Sequence, residues 1–323
     1  MIRFPGVFLL AAAAAVSPQP ARADVSADRA GLLSLQAEDL RLQSIGWRLA
    51  TANAPFCAAP RPAIGLLLQD MANYVKPERM RAAAGISGDV AVEAAVPKAP
   101  AALAGLAAND EILSIDGRSM ADLPPAKAND WRRLTSLHDM IDAALARDGK
   151  VAIAWRGGDG IRREATIAGV PACATRFELL DGGGRAVADG KRVVFGREFA
   201  GFGLGEDEIA AAVAHEFAHN LLAHRKWLSG AGRSMKNIRR TEREADRLMP
   251  WLLANAGYPA DAAVRFFEKW GPGNDGWIFR APTHDGWDER AEFAAGELPE
   301  IARLLASEGA ADWRAHFRRE VAR

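Results

Sequence analysis

The chain has little cysteine, almost no tyrosine and no excess of charge of either sign. Two cysteines and two tyrosines occur in 323 residues, and 41 Lys and Arg balance 41 Asp and Glu. The zero net charge argues against a nucleic-acid-binding protein, because such proteins carry a basic excess. The apolar and charged fractions, 49% and 25%, are those of globular proteins. The length allows two or three domains.

Long apolar runs are also missing, apart from one near the N-terminus. Arg3 is followed by an apolar run over residues 7–16 and then by the small-residue sequence ARAD. This pattern predicts a secretory signal peptide, residues 1–23, cleaved after Ala23; the alternative is an uncleaved N-terminal anchor. No other segment has the ~20 apolar residues of a membrane span. We therefore expect an exported, periplasmic protein with no transmembrane segment in its mature chain.

The two cysteines, Cys57 and Cys173, suggest one disulfide in an oxidising compartment. The alternative is a pair of unrelated buried thiols. A bridge would bracket residues 58–172 and tie together the two ends of an inserted domain. In the chain-entropy model, closing a loop of that size contributes about 4–5 kcal/mol.

The pattern of apolar residues changes along the chain. Residues 24–62 form an N-terminal unit, and within it residues 28–53 carry leucine and isoleucine at three- and four-residue steps, which predicts an amphipathic helix. Short alternating segments and two helical stretches then predict a small β-rich domain over residues 63–170. His138 lies on the second of these helices, and we interpret it as a surface residue.

A stretch inside the β-rich domain, residues 101–117, reads A-x-x-A-G-L-x-x-x-D-E-I-L-S-I-D-G and resembles the PDZ domains of bacterial proteases. Asn109 stands where those domains usually have glycine, and asparagine also tolerates a positive φ. The resemblance implies binding of an extended peptide at an open sheet edge, its terminal carboxylate on backbone N–H groups. Gly65, Leu66 and Leu67 are the candidates for that loop; the alternative is a PDZ-like spacer.

Histidine is concentrated in residues 210–225, AAAVAHEFAHNLLAHR. His215 and His219 are four residues apart, so on a helix they share a face and can bind one Zn²⁺. Glu216 lies beside them, where it can take a proton from a water molecule that the metal activates. Chance produces H-E-x-x-H in about one chain in a hundred of this length. The alternative, a helix with surface histidines, is weakened by the surrounding alanines, which suit burial.

A catalytic zinc needs a third protein ligand. The class H-E-x-x-H-x-x-G-x-x-H is excluded, because Leu222 and Arg225 occupy its Gly and His positions. The sequence TEREAD offers Glu242 and Asp246 on one helix face instead. We assign Glu242 to the metal and expect Asp246 to accept a hydrogen bond from a ligand histidine. Glu244 is expected to be an exposed partner of an arginine. The alternative for this helix is a set of solvated charges.

Three segments together are similar to the zinc endopeptidase family of the CAAX prenyl protease, HtpX and BepA. They are H-E-F-A-H-N-L-L-A-H, E-R-E-A-D-R and A-G-Y-P-A-D-A-A-V-R-F-F, and the match spans about residues 187–293 plus the helix at 28–53. The resemblance implies an α+β chain. Its mostly helical gluzincin metallopeptidase domain, residues 171–323, would carry the PDZ-like domain as an insertion and pack against the N-terminal helix.

The same resemblance implies one Zn²⁺ per chain, bound by His215, His219 and Glu242, with Glu216 as the general base. Family members also carry T-H-P followed by an arginine, and this chain has T-H-D with Arg290. His284 is thereby implied to stabilise the oxyanion or to cap an idle zinc ion, and Arg290 to support the ligands.

His224 matches the family's trailing histidine, and we interpret its role as structural. Substrate is expected to lie extended along the edge of the strand in RVVFGREF, residues 192–199.

Two functions remain as hypotheses. The first is an endopeptidase that cleaves unfolded or misassembled envelope proteins, with PDZ-bound peptide C-termini as possible further partners. The second is a PDZ-containing, chaperone-like adaptor with little proteolytic activity. Because Glu216 and all three candidate ligands are present, the sequence favours the enzyme.

Overall fold

The computed structural model describes residues 20–274 and 285–321. Within these ranges the α-helices are α1 Pro20–Ala52, α2 Pro77–Ala84, α3 Pro100–Leu103, α4 Arg132–Asp148, α5 Glu206–Leu221, α6 His224–Ala231, α7 Met235–Asn255, α8 Ala262–Asn274, α9 Trp287–Ala295, α10 Leu298–Glu308 and α11 Trp313–His316. The strands are β1 Pro60–Ala63, β2 Leu66–Asp70, β3 Val90–Ala95, β4 Glu111–Ile115, β5 Arg118–Ser119, β6 Lys150–Arg156, β7 Arg162–Ala168, β8 Val170–Cys173, β9 Arg176–Leu180, β10 Ala186–Ala188 and β11 Arg192–Gly196.

Helix α1 packs on the C-terminal unit through its apolar stripe. Leu42, Ile45 and Leu49 are buried in one core with Phe177 of β9. Gly46 permits this contact, since a Cβ there would lie 2.2 Å from the Phe177 ring. The helix begins earlier than the expected residue 28 and includes the predicted cleavage position. Among the described residues, no helix is both long and apolar enough to cross a membrane.

The β-rich unit is one sheet with α4 packed on it. The strand order is β2-β3-β4-β6-β7, and β5 pairs with β4. Leu137 and Ile141 of α4 share a core with Trp155 of β6. Asn109 adopts a positive φ of 66°, as its place in the turn predicts. Strand β2 lies at one edge of the sheet, beside α4.

The two connections to the β-rich unit meet at one place. Strands β1 and β8 form an antiparallel ribbon that pairs Pro60 with Cys173 and Ala63 with Val170. Cys57 and Cys173 form the predicted disulfide, with their Cα atoms 5.7 Å apart. The bridge is therefore confirmed, whereas the sequence did not predict the ribbon. Covalent and hydrogen-bonded links together hold the insert at its base.

The C-terminal unit stacks a three-stranded sheet on a group of helices. The strand order is β10-β11-β9, antiparallel between β10 and β11 and parallel between β11 and β9. Phe177 and Phe195 point from this sheet into the core that contains α5. Strand β11 lies in the middle of the sheet, so the expectation that substrate pairs with its edge is wrong. The end strands of this sheet are β10 and β9.

Two buried acids meet where α1 and β9 contact the β-rich unit. Asp39 of α1 and Glu93 of β3 are each 4% exposed. Strand β2 pairs Leu67 with Ala94 and Leu68 with Val92, which leaves Glu93 unpaired in a β-bulge. The bulge changes the direction of the Glu93 side chain. Burial raises the pKa of both carboxyl groups, to about 7 for Asp39 and about 9 for Glu93, and the negative charge of Asp39 raises the pKa of Glu93 further.

Replacing Glu93 by glutamine tests this pair. A pKa raised in the folded state stabilises the fold below the unfolded pKa, and this contribution is lost as pH rises. We expect Glu93→Gln to raise the melting temperature at about pH 8, and the gain to shrink toward about pH 4, where the native acid is protonated in both states. Thermal unfolding of both proteins measures this. The exposed Glu164→Gln serves as the control, and a gain independent of pH would contradict the prediction.

Candidate functional site

Helix α5 carries the histidines through the core of the C-terminal unit. Acidic residues fill its first turn, where they interact favourably with the helix dipole. One of them, Glu208, is buried against Arg265 and Lys269, at 3.1 and 2.7 Å. The alanines that precede the motif are fully or almost fully buried. Their small side chains let α5 lie between the sheet and helices α7 and α8.

Three donor atoms converge between α5 and α7. The Nε2 atoms of His215 and His219 lie 3.2 Å apart. Glu242 Oε2 lies 3.3 Å from His215 Nε2, and Glu242 Oε1 lies 3.5 Å from His219 Nε2. Among the described residues these three form the one group of at least three His, Cys, Asp or Glu side chains with donors close enough to share a cation. The structure thus brings together the three side chains that the sequence selected as ligands.

The spacing of these atoms fits zinc. Ligand atoms placed tetrahedrally at 2.0–2.1 Å from Zn²⁺ lie about 3.3–3.4 Å from one another. The separations found here, 3.2 Å between the two imidazoles and 3.3 and 3.5 Å from each imidazole to a different oxygen of Glu242, are close to that value. Two imidazoles and one carboxylate are also a donor set that catalytic zinc accepts, with a fourth position left for water or substrate.

A buried ion pair lies behind His215. Asp246 Oδ1 is 2.9 Å from His215 Nδ1, and Arg290 donates to both Asp246 oxygens at 2.6 and 2.7 Å. Burial opposes protonation of His215, but its contacts with Asp246 and Glu242 outweigh burial and raise its pKa to about 9. A cation at this place therefore competes with a proton. The structure places Asp246 and Arg290 where the sequence argument needed them, on the far side of the ring from the metal position.

A second chain of contacts lies behind His219. Its Nδ1 is 2.8 Å from His224 Nδ1, and His224 Nε2 is 2.9 Å from Glu244 Oε2. Arg319 Nε donates to both Glu244 oxygens at 3.0 Å, and the Val321 backbone N–H donates at 2.9 Å. The expectation that Glu244 is exposed is wrong, since it is fully buried, although it does pair with an arginine.

These contacts define the tautomer of His219. Burial holds the pKa of His224 at about 4, so His224 is neutral and donates its one N–H to the Glu244 carboxylate. Its Nδ1 must then accept from the Nδ1–H of His219, which leaves the lone pair of His219 Nε2 directed at Glu242. Hydrogen-bonded partners of this kind orient metal-binding histidines.

A break in the helix makes the His219–His224 contact possible. Helix α5 ends at Leu221, Ala223 adopts the left-handed conformation with φ 55°, and α6 begins at His224. Left-handed backbone costs a residue other than glycine roughly 1–2 kcal/mol. The turn returns His224 toward the preceding helix, where its ring stacks edge-on against His219 with centroids 4.8 Å apart.

Glu216 and His284 are the two predicted catalytic residues, and the structure describes the first of them. Glu216 lies on α5 between the two histidines and is half-buried, which leaves it accessible to a water molecule. His284 lies outside the described residues. Its neighbour Asp285 lies 3.1 Å from Arg243 of α7.

The predicted carboxylate loop lines a separate cleft of about 510 Å³ beside α4. Gly65 has a φ of +68°, and a Cβ there would lie 2.5 Å from the Ala99 Cβ, so glycine is required. Leu66 and Leu67 begin strand β2. The interpretation of His138 as a surface residue is wrong, because it is 5% exposed and its Nε2 accepts a hydrogen bond from the Leu68 N–H at 3.1 Å.

Comparison with known families identifies one part of the chain. The PDZ domain family matches residues 92–142, which include β3, β4, β5 and the first part of α4. The chain contains a PDZ domain. No curated protein and no solved structure matches the chain.

Sequence reasoning missed two of the residues around the candidate site. Arg319 contacts Glu244 across 75 positions of sequence, and no local pattern marks such a pairing. His138 gave no signal either, because one histidine on a helix does not indicate which strand it faces.

The pair Asp246 and Arg290 offers a test that needs no metal. Removal of one partner leaves a buried charge uncompensated, so Arg290→Met should lower the free energy of unfolding by about 3–5 kcal/mol. The double variant Asp246→Leu/Arg290→Met should lose less than the sum of the single variants, with a coupling of about 2–3 kcal/mol. Urea unfolding in the presence of a chelator measures both.

The exposed pair Glu300 and Arg303 is the matched control for this cycle, and it should show no measurable coupling because water screens it. Additive effects of Asp246→Leu and Arg290→Met would contradict the buried ion pair.

Proposed function

We propose that this chain is a zinc-dependent endopeptidase that carries a PDZ domain and hydrolyses peptide bonds in unfolded or misassembled polypeptides. The observation that supports it most is the spacing of the donor atoms of His215, His219 and Glu242, at 3.2, 3.3 and 3.5 Å. A helix with solvated charges would have no reason to hold three donors at the edge length of a zinc tetrahedron.

The chain's own residues divide the chemistry among them. Zinc, when bound by His215, His219 and Glu242, supplies a Lewis acid that polarises the scissile carbonyl and lowers the pKa of water. Glu216 takes the proton of the attacking water and passes it to the leaving amine. Asp246 fixes the orientation of the His215 ring from behind. His284 is proposed to stabilise the oxyanion or to cap the idle site.

The PDZ domain and the disulfide support the substrate class and location that we propose. PDZ domains bind the C-termini of peptides, so Gly65, Leu66 and Leu67 are proposed to receive a terminal carboxylate. A disulfide forms and persists in oxidising compartments, which agrees with export to the periplasm and with envelope proteins as substrates.

A chaperone-like adaptor is the second candidate, because the PDZ domain would suffice for it. An adaptor would hold polypeptides without cutting them and would not need Glu216. The enzyme and the adaptor therefore differ in what one carboxylate does.

Glu216→Gln separates the two functions. We expect it to keep one zinc per chain, because Glu216 is not a proposed ligand, and to degrade casein about 100- to 10,000-fold more slowly, because general acid–base catalysis is lost. Metal analysis and a casein assay measure this, with Glu268→Gln on α8 as the matched control. Equal activity of Glu216→Gln and the native protein, or no activity in either, would overturn the proposed enzyme.

The contacts behind His219 give a second test of the metal site. His224→Leu removes the acceptor that fixes the tautomer of His219, so zinc affinity should fall about 10- to 100-fold. Competition with a chelating dye measures this affinity without an activity assay. His316→Leu, which removes a partly exposed histidine of α11, is the control. Unchanged zinc affinity in His224→Leu would argue against this arrangement.

A further inference from the structure

A cleft of about 530 Å³ lies between the PDZ domain and the C-terminal sheet. One wall is the edge of β2 together with α4, and the other is formed by residues of β9, β10 and β11. Three large apolar side chains on its lining are unusually exposed: Trp131, Leu180 and Val187, at 56%, 55% and 50%. Apolar side chains from two different units thus gather around one opening, which marks a binding surface rather than scattered surface residues.

The charged groups on this cleft are mostly paired. Arg133 donates to both Asp70 oxygens at 2.6 and 2.7 Å. Arg192 contacts Glu178 at 3.1 Å and Asp189 at 2.9 Å. These pairs neutralise three of the six acids that line the cleft, and a fourth, Asp181, has an exposed side chain 3.8 Å from Arg197.

Asp39 and Glu93 are the acids that these pairs leave uncompensated. Both are 4% exposed and line the cleft. Asp39 accepts a hydrogen bond from the Leu179 N–H at 2.9 Å, but neither Glu93 oxygen accepts one in satisfactory geometry from the described residues. The Gln36 amide donates to Asn109 at 2.8 Å and also interacts with Glu93, and the two acids contact each other, but none of these contacts supplies a positive charge. Buried carboxyl groups without a counter-charge are unfavourable, so the arrangement suits a ligand that brings a cation.

We propose that this cleft binds an extended polypeptide segment that places a lysine or arginine side chain against Asp39 and Glu93. The methylene groups of such a side chain would lie along the apolar lining, which includes Leu35, Leu67 and Leu179, while its charged end reaches the two acids. The segment's apolar neighbours would cover the exposed side chains at the opening.

This inference deepens the proposed function, since it names the substrate class as apolar segments that contain a basic residue. It concerns a cleft that adjoins the carboxylate loop at Gly65 and shares Leu67 with it. His138 lies between the two clefts and lines both. Its Nε2 accepts a hydrogen bond from the Leu68 N–H on the edge of β2.

Peptide binding to the full chain carrying Glu216→Gln tests the proposal without cleavage. Short fluorescent peptides of leucine, valine and threonine carry one central lysine or, in the matched peptide, norleucine, and both end in an amide. Fluorescence anisotropy should give at least about a tenfold tighter dissociation constant for the lysine peptide, as expected for a hydrogen bond to a charged group.

Adding Glu93→Gln should remove the preference for lysine, and Asp39→Asn, which keeps an acceptor for the Leu179 N–H, should weaken it. Asp181→Asn is the control, because Asp181 is an acid on the same cleft whose side chain is 78% exposed, and it should leave the preference within about twofold. Thermal unfolding verifies that each variant is folded; if Glu93→Gln is not, the result for Asp39→Asn decides.

Equal binding of the two peptides overturns the proposal, and so does a lysine preference that survives the change at Glu93 or, failing that variant, at Asp39. The same two peptides with a free terminal carboxylate are compared as well: binding that requires this carboxylate and ignores lysine would assign the peptides to the loop at Gly65 and also overturn the proposal. The outcome is independent of the enzyme hypothesis: casein cleavage without a lysine preference contradicts this inference alone, and a lysine preference without cleavage contradicts the proposed function alone.

Discussion

The close packing of α5 on α7 is the constraint on which the candidate site depends. His215 and His219 come from one helix and Glu242 from the other, so the donor atoms meet only if the two axes approach closely. Buried alanines on both helices, such as Ala218 and Ala245, leave room for that approach. Larger side chains at these places would separate the helices and move the carboxylate beyond reach of the imidazoles, because packed interiors do not absorb extra volume without displacement.

Charge compensation distinguishes the two regions for which we propose a ligand. Around the histidines every buried acid described has a partner: Asp246 has Arg290, and Glu244 has His224 and Arg319. These pairs fix the histidine rings on the side opposite the donor atoms. The donor atoms of His215, His219 and Glu242 are therefore the groups that would face a cation. At the junction with the PDZ domain the two acids face each other instead, and burial favours their protonated forms. We propose a positively charged ligand for both places, a metal ion in one and a basic side chain in the other.

The way in which the PDZ domain is inserted fixes how the two proposed ligand regions are placed relative to each other. The β1–β8 ribbon and the Cys57–Cys173 bridge fix the base of the insert, and α1 contacts both the insert and the C-terminal sheet. The cleft that we propose for basic segments has walls from both units, so its shape depends on their relative position. Protonation of the acid pair acts at that same junction, which links the stability of the interface to pH.

What the sequence determined by itself is local. The spacing of His215 and His219, the choice of Glu242 and Asp246 on one helix face, the PDZ-like stretch and the pairing of two lone cysteines all follow from short patterns whose chemistry is fixed by residue type. The tertiary structure alone decided the rest. It buried Glu244 and His138, put β11 inside its sheet, and paired Glu244 with Arg319 at the far end of the chain. Burial and long-range pairing depend on how elements pack, and residues distant in sequence leave no periodic signal of the partners they meet.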